Sequence, residues 1–159
     1  MMRSVLFVCT ANRCRSPMAE ALLRAKVAQE GQAEEWRIES AGTWAEPGIA
    51  VTPLTQGAMQ KRGLDVSGHR SQAIDGGLMR TMDLILVMTD SHRESLCAEF
   101  PAEAHKVVLV SQLIGQTFNI DDPVAGTEQD YDVCADELTR IIDASFDCLT
   151  ALVDNNRRA

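Results

Sequence analysis

Ser4-Val5-Leu6-Phe7-Val8-Cys9 runs directly into Thr10-Ala11-Asn12-Arg13-Cys14-Arg15-Ser16-Pro17. The first stretch is a short apolar run of the kind that forms a strand buried on both faces. The second is polar and ends in Ser-Pro, a combination that opens helices. A helix is therefore expected from Ser16 or Pro17 to about Glu30, with Ser16 as its cap, Pro17 in its first turn, and Met18, Leu22, Leu23 and Ala25 along one side. Strand, polar loop and helix in that order are the opening unit of a parallel α/β sheet.

The same alternation continues. Arg37 to Ser40 reads as a second strand before Ala41-Gly42-Thr43, and Thr52-Pro53 as the cap and first turn of a helix ending near Gly63. Asp83 to Met88 is another buried strand, followed by Thr89-Asp90-Ser91 and a helix to Pro101; Lys106 to Val110 is one more strand. A Gly- and Pro-bearing loop covers Gly115 to Thr127. Beyond it Cys134, Leu138, Ile141, Ile142, Leu149 and Leu152 share a helical face, and residues 155–159 are expected to fray. The expected fold is α/β: a three-layer α/β/α sandwich around a four-stranded parallel sheet, flavodoxin-like, in one domain over residues 1–159. Ligands of such sheets bind where strands end, which directs attention to the loop after the first one.

Composition narrows the function classes. With 45% hydrophobic and 24% charged residues in 159, the chain is that of an ordinary globular protein. A net charge of -8 disfavours nucleic acid and anionic membranes, which select basic surfaces. An anionic ligand then needs a local cationic pocket, and Arg13 and Arg15 are the candidates. Met1-Met2-Arg3-Ser4 carries no cleavable export pattern, so a cytoplasmic location is expected. Five cysteines in such a chain point to thiol chemistry rather than to a disulfide framework.

The loop itself carries that chemistry. Free backbone N–H groups in a strand-to-helix turn, with the positive end of the helix behind them, bind anions. The same field favours a thiolate, and a cysteine beside arginine at a helix start can ionise well below the usual value of about 8.5. Cys9 thus reads as a nucleophile, and the planar fork of Arg15 as a grip on two phosphoryl oxygens. Cys134 and Arg140 repeat the six-residue spacing, but they fall inside a helical pattern with no loop to enclose an anion. The competing reading of Cys9 is a small buried hydrophobe at a strand end.

On these residues the chain resembles the low-molecular-weight protein tyrosine phosphatase family, bacterial branch. The resemblance covers nearly the whole length: Cys9 to Pro17 with Met18-Ala19-Glu20, Ser40-Ala41-Gly42-Thr43, His69-Arg70-Ser71, Asp83 to Met88, and Asp122-Pro123. It implies Cys9 as nucleophile, Arg15 as phosphoryl-binding residue, and Ser16 as hydrogen-bond donor to the thiolate. Thr10, Ala11, Asn12, Arg13, Cys14 and Ser16 would form the phosphate-binding loop, with Asn12 shaping it toward Ser40 and His69. Asp122 would be the general acid, then the base for the hydrolytic water. The resemblance implies no metal and no cofactor, and a phosphorylated protein as substrate; a monomer is expected. Cys14 would pair reversibly with Cys9 under oxidation.

Some residues have plainer readings or depart from the family. Cys134 and Cys148 are assigned to the core, Cys97 to a structural role, His92 and His105 to the surface, and Arg157 and Arg158 to solvent. After Asp122-Pro123 the chain has Val124-Ala125-Gly126 where many members carry aromatic residues, and Trp44 is the candidate replacement wall. Arg13 stands where the tyrosine phosphatases usually carry Ile and the related protein-arginine phosphatases Thr. A cation there disfavours phosphoarginine, so hydrolysis of phosphotyrosine is the expected activity and a protein-arginine phosphatase on the same scaffold is the first alternative. Thioredoxin-coupled arsenate reductase is an alternative, but it needs a cysteine relay that begins where this chain has Met88. A phosphate-binding module without turnover is the non-enzymatic alternative.

Overall fold

The opening apolar run forms β1 (Arg3–Cys9), which lies inside the sheet because it has a parallel partner on each edge: β2 (Trp36–Gly42) and β3 (Leu84–Val87). β4 (Val107–Leu109) extends the sheet beside β3, giving the order β2-β1-β3-β4. The computed structural model describes residues 1–159.

Successive residues of a strand face opposite sides, and both sides of β1 are apolar, so two cores result. On one side Val5 and Phe7, with Leu84 and Leu86, meet α1 (Arg15–Gln29) and α5 (Glu128–Arg158) through Met18, Leu23, Leu138, Ile141 and Leu149. On the other, Leu6, Val8, Ile85 and Val87 meet Met79 of α3 (Gly76–Thr81) and Leu96 of α4 (Asp90–Glu99). Each of these large side chains is fully buried, a gain of about 1.5–3 kcal/mol apiece relative to exposure. The result is the α/β/α sandwich that the alternation of elements predicts.

Caps set the helix starts. Thr52 accepts from the Thr55 amide at 3.3 Å at the head of α2 (Pro53–Gln60), Thr89 from His92 at 3.3 Å, and Thr127 from Asp130 at 3.3 Å. Each such cap contributes about 1 kcal/mol. No helix is long and apolar enough to cross a membrane.

The structure departs from the sequence reading at several points. Ser16 is not the cap of α1: the cap position falls to Cys14, whose side chain makes no capping bond, and Ser16 is buried within the first turn. α3 was not visible in the sequence, where Gly76-Gly77 argues against a helix; Asp75 nevertheless starts it by accepting from the Leu78 amide at 2.7 Å. Cys148 is exposed rather than in the core. At 100° per residue it falls roughly 40° past Cys134, on the side away from Leu138 and Leu149. Residues 155–158 continue α5, since Asn156 donates to the Asp83 carbonyl at 2.9 Å and Arg157 to the Met1 carbonyl at 2.9 Å. Arg157 is therefore tethered, not simply solvated.

In the order β2-β1-β3-β4 the direction of winding reverses between β1 and β3, and the crevice beyond their carboxyl ends is the ligand position of such sheets. Cys9 ends β1 at that crevice.

Candidate active site

The loop from Cys9 to α1 curls back on itself because Asn12 takes a left-handed conformation, φ 59°, which asparagine tolerates better than most residues. Side chains hold that turn. Asn12 Nδ2 donates to Ser16 Oγ at 2.8 Å and to Ser40 Oγ at 2.9 Å, and Asn12 Oδ1 accepts from the Gln72 amide at 3.0 Å. His69 Nε2 meets the Asn12 carbonyl at 2.9 Å, and the Ser40 hydroxyl donates to Glu20 Oε1 at 2.7 Å. Because Ser16 Oγ already accepts from Asn12, its proton is free for Cys9 Sγ, 2.9 Å away.

The same loop leaves its amides unused. No protein acceptor takes the N–H groups of Ala11, Asn12, Arg13 or Cys14, and the first turn of α1 adds the unpaired N–H groups of a helix start. Free amides in a loop that begins at a buried cysteine make an anion cradle. Just past β2, the Thr43 and Trp44 amides donate to the carbonyls of Cys9 and Thr10, each at 2.9 Å. So close an approach requires glycine at 42, where a Cβ would collide with the Thr10 carbonyl and lie 2.8 Å from Ala45 Cβ.

Arg15 is 4% exposed and reaches across the crevice. Nη1 donates to the Ile120 carbonyl at 3.0 Å, while Nη2 lies 3.4 Å from both Thr10 Oγ1 and Asp122 Oδ2. Nε is buried and has no partner. Asp122 comes from the loop before α5; its other oxygen accepts from the Val124 amide at 3.1 Å, and its side chain is 39% exposed. Arg15 and Asp122 thus meet from α1 and the last loop, and Thr10, the residue after Cys9 at the end of β1, meets the same guanidinium.

His92 is a correction. Expected at the surface, it is 5% exposed in the first turn of α4, with Nε2 2.9 Å from Thr10 Oγ1 and Nδ1 3.1 Å from Thr89 Oγ1. Burial pushes its pKa down from 6.5 to about 4; the Arg15 charge adds to the effect and Asp122 opposes it. The ring is neutral near neutral pH. Cys14 turns away from solvent toward Tyr131 OH at 3.5 Å and Thr52 Oγ1 at 3.6 Å, and both Cys9 and Cys14 are free thiols. Burial, and then the Cys14 contact, raise Tyr131 to about 12. Burial likewise raises Cys134 to about 12, as suits an inert core thiol.

Beside the cradle lies a hollow of about 630 Å³ lined by Arg13, Trp44, Glu46 and Ile49. Trp44 is 85% exposed there. Arg13 Nε is anchored to the Ala50 carbonyl at 2.8 Å.

Against known proteins, the family model described as low molecular weight phosphotyrosine protein phosphatase matches residues 4–157. The chain belongs to that family. Among the relatives of this phosphatase-family chain is the probable low molecular weight protein-tyrosine-phosphatase EpsP of Ralstonia solanacearum, 34% identical over 96% of this chain and 99% of its own. The protein-arginine-phosphatase of Bacillus subtilis is 32% identical over 87% of this chain and 91% of its own. The tyrosine phosphatase Wzb of Escherichia coli K30, solved with sulphate, superposes with a TM-score of 0.84 at 30% identity, covering 94% of this chain and 99% of that one.

Within this family frame, the residues missed by sequence reasoning are the supports: Gln72 and Glu20 behind Asn12 and Ser40, Tyr131 and Thr52 behind Cys14, and His92 behind Thr10. One clue to His92 was available. It follows the Thr89 cap at the carboxyl end of β3, the second strand bordering the crevice.

Proposed function

We propose that this chain hydrolyses phosphotyrosine in proteins through a cysteinyl-phosphate, with Cys9 as nucleophile, Arg15 as phosphoryl-binding residue and Asp122 as acid and base. The observation that carries this reading is Arg15 Nε, a donor buried without a protein acceptor on a guanidinium anchored by the Ile120 carbonyl. Buried donors are almost always satisfied, so an unsatisfied one beside free amides and a thiol suits a tetrahedral oxyanion.

Cys9 sulfur attacks phosphorus, the S–P bond forms, and the P–O bond to the tyrosyl oxygen breaks as Asp122 gives that oxygen its proton. Water then loses a proton to Asp122 and attacks phosphorus. The P–S bond breaks, releasing phosphate and the thiolate, which Ser16 stabilises by hydrogen bonding. In the free protein Asp122 rests near Arg15 Nη2. An incoming phosphoryl group takes over that donor and frees the carboxyl for the leaving oxygen. Asp122→Ala is expected to lower kcat/KM, which reports the step in which the leaving oxygen departs, by about 10²-fold or more on aryl phosphates with poor leaving groups, and far less on those with good ones. Equal losses across a leaving-group series would remove Asp122 from the acid role.

Phosphotyrosine is preferred to phosphoarginine in this reading because Arg13 borders the hollow that also holds exposed Trp44. The cation repels a phosphoarginine guanidinium, whereas the indole offers a stacking surface to a phenyl ring. Matched phosphotyrosine and phosphoarginine peptides test this, with kcat/KM measured for the parent and Arg13→Thr. The parent is expected to favour phosphotyrosine by about 10-fold or more, one close-range charge contact, and Arg13→Thr to narrow the gap. A parent that favours phosphoarginine would sink the assignment.

A further inference from the structure

We propose that His92 is a positioning residue that fixes the Thr10 hydroxyl and, through it, the plane of the Arg15 guanidinium that receives the phosphoryl group. The inference rests on the phosphatase reading above and adds a residue from the opposite face of the sheet to that site. Its basis is a chain of contacts: Arg15 Nη2 to Thr10 Oγ1 at 3.4 Å, Thr10 Oγ1 to His92 Nε2 at 2.9 Å, and His92 Nδ1 to Thr89 Oγ1 at 3.1 Å.

The direction of the chain follows from what each group can do. Arginine only donates, so Thr10 Oγ1 accepts from Nη2. The Thr10 proton then goes to His92 Nε2, which accepts when the ring is neutral with its hydrogen on Nδ1. That hydrogen points to Thr89 Oγ1, whose second lone pair receives the His92 backbone amide at 3.3 Å. Thr10 Oγ1 and both ring nitrogens are then engaged, and only the Thr89 hydroxyl proton is left without a protein acceptor. The opposite tautomer sends two donors to Thr10 Oγ1 and leaves the Thr10 proton unplaced instead, while still tying that hydroxyl to the ring. The low pKa of His92 agrees with the neutral form, since a protonated ring would carry a second cation toward Arg15.

The consequence is geometric. Thr10 is at the exposed rim of the loop, where a free hydroxyl would rotate. Held by a buried ring on α4, it offers Arg15 a fixed acceptor opposite the Ile120 carbonyl. Two fixed acceptors define the guanidinium plane and with it the place of Nε, the buried donor that has no protein acceptor. Because His92 also strengthens the start of α4, the test must separate positioning from stability.

The experiment uses the full chain with His92→Asn, His92→Gln, Thr10→Val and the double variant Thr10→Val/His92→Asn. Three quantities are read: kcat and KM on p-nitrophenyl phosphate, affinity for inorganic phosphate by calorimetry, and Tm. Glutamine reaches toward the Nε2 position and can still meet Thr10; asparagine reaches only the Nδ1 position. His92→Asn and Thr10→Val are each expected to lower kcat/KM and phosphate affinity by about 10-fold, the scale of one positioned hydrogen bond. The double variant is expected to lose no more than either single variant, and His92→Gln to stay within about 3-fold of the parent. Phosphate affinity and turnover in His92→Asn equal to the parent would overturn the proposal. So would a double variant whose loss is the product of the single losses, or equal losses for Asn and Gln that track Tm. A parent that turns over no aryl phosphate would instead fail the phosphatase reading, with phosphate affinity still reporting the coupling of His92 to Thr10.

Discussion

Replacing Cys9 with serine is expected to lower kcat on aryl phosphates by about 10⁴-fold or more while leaving phosphate binding nearly intact. The substitution exchanges the sulfur of a residue that is 2% exposed for a smaller atom with the same neighbour, the Ser16 hydroxyl 2.9 Å away. The amides of Ala11 to Cys14 and the Arg15 fork are untouched, so an oxyanion still finds its donors. What disappears is a nucleophile that can exist as an anion inside the cradle; a serine hydroxyl keeps its proton there. Calorimetric phosphate affinity within a few-fold of the parent, an unchanged Tm and absent turnover are the expected set. Retained turnover would transfer the nucleophile elsewhere.

Arg15→Lys carries the second-largest expected effect, a fall in kcat/KM of about 10³-fold, comparable to the lower range for a lost arginine in phosphoryl transfer. Lysine keeps the positive charge, so charge alone does not explain such a loss. The guanidinium does three things that an ammonium cannot do together: Nη1 holds the Ile120 carbonyl, Nη2 faces Thr10 and Asp122, and Nε is left for the oxyanion. A lysine ammonium satisfies the Ile120 carbonyl or the phosphoryl oxygens, without a planar fork. Steady-state kinetics on p-nitrophenyl phosphate, with Tm as a control for folding, read the difference. A lysine variant within about 10-fold of the parent would mean that charge, not bidentate geometry, is what the site needs.

The architecture was legible because β1 and β3 are largely continuous apolar runs and because Thr52 and Thr89 mark helix starts with side chains suited to capping. The central loop was legible for a different reason: Cys9, Arg15 and Ser16 are close in sequence, so a turn between strand and helix suffices to bring them together. Asp122 is 107 residues from Arg15, and no local pattern announces their 3.4 Å approach. Its assignment came from family resemblance.

What stayed hidden depends on contacts between elements. The environment of His92 is set by how α4 packs against the sheet, and a histidine three residues after a cap looks the same whether it faces solvent or Thr10. Gly42 is needed because β2 runs parallel to β1 in a register that brings its end against the Thr10 carbonyl. Cys148 was misplaced because a helical stripe shifts by roughly 20° per seven residues, enough over two heptads to carry a residue from the edge of the core into solvent.

The central claim is that phosphorus passes through the Cys9 sulfur. Asp122→Ala with p-nitrophenyl phosphate tests it most directly, since a good leaving group spares the first step while loss of the base slows hydrolysis of the adduct. Rapid quenching, digestion and mass spectrometry are expected to find a phosphoryl group on the peptide containing Cys9, at an occupancy matching the burst of nitrophenol. A phosphoryl group on His69 or His92 instead, or ongoing turnover with no adduct on any residue, would contradict it.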